Sequence, residues 1–151
     1  MKKFIVAIVL MVACAGMADA QITINKSTSS NPKQMTTLSM YWSWIYQIDS
    51  TYFLVMKSDN EFDDYYLIRL GSTSGECKES VSSLLELAKT IGETDRYDMD
   101  NGMGDTYHIS QYNALGMKGL YFYDVNKAGH AYILASNLKK ADRWISKNVK
   151  E

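Results

Sequence analysis

Two short runs near the carboxyl end, Leu120 to Val125 (LYFYDV) and His130 to Ala135 (HAYILA), constrain the fold more than any other feature. Each is too short for a helix that could bury a useful stripe, and each is rich in the aromatic and aliphatic residues that strands favour. The four residues between them, Asn126-Lys127-Ala128-Gly129, suit a hairpin connection. That connection pairs Val125 with His130, Tyr123 with Tyr132 and Tyr121 with Leu134. Because side chains alternate across a strand, Leu120, Phe122, Ala131, Ile133 and Ala135 share one face, and Tyr121, Tyr123 and Tyr132 the other. An aliphatic face demands a covering layer, whereas phenolic rings with polar tips suit a half-wet surface.

Two helices supply the covering layer. Thr73-Ser74-Gly75-Glu76 is a capping box, followed by Cys77, Val81, Leu84, Leu85, Ala88 and Ile91 at helical spacing and by Gly92, placed for a left-handed cap. Ser136 or Asn137 can cap a second helix, whose stripe is Leu138, Ala141, Ile145 and Val149 with Trp144 beside it. Upstream, the alternation from Leu38 to Ile48 predicts one half-buried strand. Tyr52 to Met56 and Tyr65 to Leu70 are apolar on both faces and predict a hairpin inside the sheet, closed by Gly71. The expected fold is α+β, an antiparallel sheet of about five to seven strands with two helices on one face. The order strands, helix, strands, helix suggests a βββα pseudo-repeat, without residue-level identity between the halves.

The first twenty residues belong to a different kind of sequence. Lys2 and Lys3 precede an apolar run from Phe4 to Ala15, and Ala18-Asp19-Ala20 is a small-x-small cleavage site. This predicts a signal peptide over 1–20, cleavage to a mature start at Gln21, and a secreted or periplasmic product. Acylation of Cys14 is the lesser alternative. Residues 21–34 are mostly polar and read as a tether or loosely held first strand, leaving 35–151 as a single domain. The apolar run falls short of a membrane span, and no later segment matches even that. With 16 Lys and Arg against 17 Asp and Glu, spread along the chain, no basic footprint for nucleic acid exists. Of the two cysteines, Cys14 leaves with the signal, so Cys77 has no disulfide partner and a packed core must hold the domain together.

The stretch Tyr97 to Asp105 (YDMDNGMGD) offers Asp98, Asp100 and Asp105 as oxygen ligands for a cation. A calcium loop read from Asp98 fails, because Gly102, Met103 and Ile109 fall where an oxygen ligand, glycine and glutamate are needed. A turn fits better: an odd loop length puts Tyr97, Met99, Tyr107 and Ile109 on one face, and a three-residue loop of Asp100, Asn101 and left-handed Gly102 satisfies this.

Cys77 in the first turn of a helix and His130 opening the strand GHAYI (129–133) form the one pair with nucleophile and base chemistry. The arrangement resembles papain-like enzymes and the NlpC/P60 cell-wall peptidases, which place a cysteine at a helix start and a histidine at a strand start. The resemblance implies a cysteine hydrolase acting on peptides or cell-wall material, with Cys77 as nucleophile and His130 as base. Packing is the simpler account of Cys77, since it shares a face with Val81 and Leu84. His108 falls on the polar side of its strand, and neither histidine has a zinc-ligand partner at the right spacing.

Without a complete catalytic set, the tyrosine face becomes the leading candidate. Tyr121, Tyr123 and Tyr132, with His130 at the edge and Trp42 and Trp44 extending the surface, point to a non-catalytic binding or inhibitory module. Its partner would be a protein, peptide or glycan, and no cofactor is expected.

Overall fold

The structure, a computed structural model, describes residues 32–40, 42–59, 65–127 and 129–151. The expected signal peptide and residues 21–31 of the tether lie outside them. Ten elements run in the order β1 (Lys33–Ser39), β2 (Ser43–Ile48), β3 (Thr51–Lys57), β4 (Tyr65–Gly71), α1 (Ser74–Thr90), β5 (Tyr97–Asp100), β6 (Thr106–Ala114), β7 (Met117–Tyr123), β8 (Ala131–Leu134) and α2 (Ala135–Asn148). Each half is four strands followed by a helix. The fold is α+β, but in place of one sheet of five to seven strands there are two antiparallel sheets of four, β1-β2-β3-β4 and β5-β6-β7-β8.

The first correction concerns Leu38 to Ile48. Its alternation is not one strand but the two arms of a hairpin, with Ser39 paired to Ser43 and bulges along β1. The turn leaves Met40 exposed while Leu38 and Ile45 enter the core. β1 is an edge strand, which explains why polar Lys33, Gln34, Thr36 and Thr37 sit in it comfortably; such residues also discourage stray pairing at a free edge.

β4 corrects a second expectation, since it lies at a sheet edge and not inside the sheet. Its exposed backbone is nevertheless paired. The Tyr107 hydroxyl accepts from the Leu67 amide and donates to the Leu67 carbonyl, both at 3.2 Å. The Arg69 amide donates to the Asn101 carbonyl at 2.9 Å. The second sheet thus closes the edge of the first with one side chain and one turn.

Helix α1 starts as expected: the Thr73 hydroxyl accepts from the Glu76 amide, and the Glu76 carboxylate accepts from the Ser72 amide at 2.7 Å. Amide donors at Ser72 and Thr73 hold the Glu76 carboxyl below the usual carboxylate range. The helix does not end in a left-handed glycine. Ile91 is extended at φ −61° and ψ 126° with its amide donating to the Leu87 carbonyl at 2.9 Å, and the Gly92 amide turns to the Asp95 carboxylate at 2.8 Å. Helix α2 is capped by neither Ser136 nor Asn137; its N-cap is extended Leu134, two residues before Ser136, with no side-chain cap. Its stripe of Leu138, Ala141, Ile145 and Val149 is buried as read.

The helices pack on each other and on the inner strand faces, α1 against β4 and β7, α2 against β1, β7 and β8. The core between them collects Ile45, Leu54, Met56, Ile68, Val81, Leu84, Leu120, Phe122, Ile133, Leu138 and Ile145, all nearly or fully buried. Removing each such aliphatic side chain from water is worth roughly 1.5–3 kcal/mol. Among the described residues no helix is long and apolar enough to cross a membrane.

Candidate functional site

The site is the outer face of β5-β6-β7-β8. In the last hairpin Tyr121 pairs with Tyr132, Leu120 with Ile133 and Phe122 with Ala131. The register is two residues from the expected one, because β7 ends at Tyr123 and β8 begins at Ala131. A shift of two preserves which face each side chain takes, so the predicted division holds. Leu120, Phe122, Ala131 and Ile133 are at most 1% exposed, whereas Tyr121 and Tyr132 are half-buried and Tyr123 is 40% exposed.

Three cross-strand rows build the outer face: Asp98-His108-Tyr123, Ser110-Tyr121-Tyr132 and Tyr112-Gly119-Leu134. Gly119 is required where it stands, since a Cβ there would collide with the Ile133 carbonyl. Its bare position also lets the Tyr112 ring reach over β7 and lie flat on Tyr132, 4.7 Å between centroids and 6° between planes. Tyr121 meets both rings edge-on, and Trp42 lies 6.0 Å from Tyr132. Burial, reinforced by Tyr112 and Tyr121, raises the Tyr132 hydroxyl above its ordinary range.

At the other end Tyr123 is flanked by two imidazoles, His108 stacked at 6.2 Å and His130 tilted at 5.3 Å. Both histidines turn Nδ1 to a carboxylate, His108 to Asp98 at 2.6 Å and His130 to Asp59 at 4.0 Å. The backbones of Asp59 and His130 are tied as well: the Asp59 amide donates to the His130 carbonyl, and the His130 amide to the Asp59 carboxylate. Arg96, Ser110, Tyr121, Tyr123 and the two imidazoles line an open groove of about 420 Å³, within the usual range for small-molecule sites.

The other expected site residues lie elsewhere. Trp44 does not join the tyrosine cluster; it packs 6.4 Å from Tyr65 and helps line a separate groove on the first sheet with Tyr46, Ile48 and Val55. Cys77 is wholly buried in the core. Burial, then the Glu76 carboxylate, push its thiol up to about 11, opposite to the lowering expected at a helix start. His130, by contrast, is exposed beside Tyr121 and Tyr123. A protonated thiol inside the core acts as a small apolar residue.

The acidic stretch is a turn, though of five residues and not three, with Asp100 paired to Thr106. Gly102 is left-handed as expected, at φ 78°. Asn101 organises the turn: its Oδ1 accepts from the Met103 and Asp105 amides, and its Nδ2 donates to the Asp105 carboxylate and the Tyr107 hydroxyl. Among the described residues no group of three or more His, Cys, Asp or Glu is placed to hold a metal.

Sequence reasoning missed Arg96, Ser110 and Tyr112 as groove and platform residues. The signal was the dipeptide Leu115-Gly116, both left-handed at φ 51° and 78°, which closes β6 onto β7 in a two-residue turn. Read as a turn, it would have extended β6 to Ala114 and put His108, Ser110 and Tyr112 on the tyrosine side. Comparison with family models, with curated proteins and with solved structures finds no match for this chain.

Proposed function

We propose that this is an exported, non-catalytic binding or inhibitory module that captures its ligand on the outer face of the second sheet. The observation that carries the reading is the partly exposed aromatic platform of Tyr112, Tyr121, Tyr123, Tyr132 and Trp42, opening into the groove between His108 and His130. Interlocked rings present rigid contact area at little entropic cost, and their hydroxyls supply polar anchors, the two properties that make tyrosine frequent at recognition surfaces. The buried core lies on the opposite side of the same strands.

The test is a glycan and peptide array probed with the wild-type protein and with the Tyr121→Ala, Tyr123→Ala double variant. Retained spots should fall at least tenfold in the variant while its circular dichroism stays native. Ligands held equally by both proteins would move the binding site off this face. Export is tested separately, by sequencing the amino terminus of the protein released from its own cells; the expected first residue is Gln21.

A further inference from the structure

The platform reading leaves the ligand's chemistry open, and the groove narrows it. We propose that the groove takes a six-membered ring carrying one anionic group, a carboxylate or a phosphate, with the ring against Tyr121 and Tyr123 and the anion at Arg96. This rests on the binding reading above and names the ligand class for the same site.

The polar lining carries one group that can only donate, the Arg96 guanidinium, among groups that can take either role. Arg96, His108, Ser110, Tyr121, Tyr123 and His130 contribute a guanidinium, two imidazoles and three hydroxyls, and among the described residues no carboxylate lines the groove. Asp98 is close by, but its carboxylate is hydrogen-bonded to His108 Nδ1 at 2.6 Å, which leaves Nε2 of that ring for a ligand, as an acceptor in the neutral ring and a donor in the charged one. The guanidinium therefore requires an acceptor on the ligand, and the hydroxyls and imidazoles adapt to the rest of it.

Arg96 supplies the directional part. Its Nη1 donates to the Glu93 carbonyl at 3.0 Å and to the Asp95 carbonyl at 2.6 Å, which uses both hydrogens of that nitrogen and fixes the plane of the group. The remaining donors, Nε and Nη2, form the side-on fork that binds a carboxylate or phosphate through two parallel hydrogen bonds. Among the described residues no carboxylate pairs with this guanidinium, so none of them occupies the fork. The groove's about 420 Å³ accommodates one or two such rings.

The probes are phenyl phosphate and glucuronate, each with its neutral counterpart, phenol and glucose, titrated into the isotope-labelled full-length protein. Dissociation constants are read from the amide and ring signals of His108, Tyr121 and Tyr123. At least one anion should bind about tenfold tighter than its neutral counterpart, and Arg96→Gln should remove that margin while leaving the neutral probe unchanged. Preference for phenyl phosphate alone identifies an aryl anion, and preference for glucuronate alone an acidic saccharide. Equal binding of anion and neutral probe, no binding of either anion, or a margin that survives Arg96→Gln overturns the inference. Arg96 is exposed, and native circular dichroism of Arg96→Gln confirms that its replacement leaves the fold intact. An array ligand that depends on Tyr121 and Tyr123 but carries no anion would defeat this inference and leave the platform reading standing.

Discussion

Tyr66 and Tyr107 lie at the seam between the two sheets, and Tyr121, Tyr123 and Tyr132 lie on the outer face of one of them; the same residue type does opposite work in the two places. At the seam the hydroxyls are the functional part. Tyr66 is fully buried, donates to the Gly129 carbonyl and accepts from the Asp124 amide, while Tyr107 spans both backbone groups of Leu67. Their rings meet at 5.0 Å, and Tyr107 meets Phe122 edge-on at 6.4 Å. On the outer face the rings hold one another and no backbone hydrogen bond to their hydroxyls is present among those described. A buried phenol is an architectural tie because its hydroxyl has no alternative to a protein partner. A half-exposed one keeps its hydroxyl for whatever arrives.

Four measurements sharpen or break this contrast. The largest effect belongs to Tyr66→Ala, which empties a fully enclosed site and strands the Gly129 and Asp124 groups; urea unfolding should show a loss of about 3–5 kcal/mol. Next is alkaline pH. Burial pushes the Tyr66 hydroxyl up to about 12 from the ordinary 10.0, with Asp124, Tyr107 and Asp59 adding to the rise and the Asp124 amide opposing it. The unfolded chain therefore loses this proton first, so the stabilisation is intact below about pH 10 and disappears as pH rises toward 12. At about 1.4 kcal/mol per unit, the wild type should lose roughly 2–3 kcal/mol more than Tyr66→Phe across that window. An identical pH profile in the two proteins would deny the seam its buried phenol.

Tyr107→Phe keeps the ring and removes only the hydroxyl, leaving the Leu67 amide and carbonyl and the Asn101 side chain short of a partner; the expected cost is about 1–3 kcal/mol in the same assay. Smallest is Tyr123→Ala, which should change stability by less than about 1 kcal/mol because the side chain is 40% exposed and packs beside the exposed imidazoles of His108 and His130. Were Tyr123→Ala as costly as Tyr107→Phe, the outer face would be part of the fold's support and not a surface held ready for a ligand.

The face assignments were legible because they depend on parity. Tyr121, Tyr123 and Tyr132 fall on the outer side in the expected register and in the real one, since the two differ by an even number of residues. The five-residue turn at Asn101 preserves the expected face of Tyr107 and Ile109 in the same way. Quantities without such protection were lost. Leu38 to Ile48 alternates whether it is one strand or two folded together, so periodicity alone could not reveal the turn at Met40. The division into two sheets depends on contacts across 40 residues of sequence, as between Tyr107 and Leu67, and no local pattern announces them. Cys77 illustrates a third limit: helix position argued for a lowered thiol, but the surrounding core, visible only in three dimensions, decided the direction.

The tie from Tyr107 and Asn101 to the edge of β4 also bears on how copies of this protein behave when crowded. An unpaired strand edge is a template on which a neighbour's strand can grow, and here the Leu67 and Arg69 positions are already spoken for from within. Loss of that tie, as in Tyr107→Phe, would reopen the template, and self-association at high concentration should rise before unfolding becomes measurable.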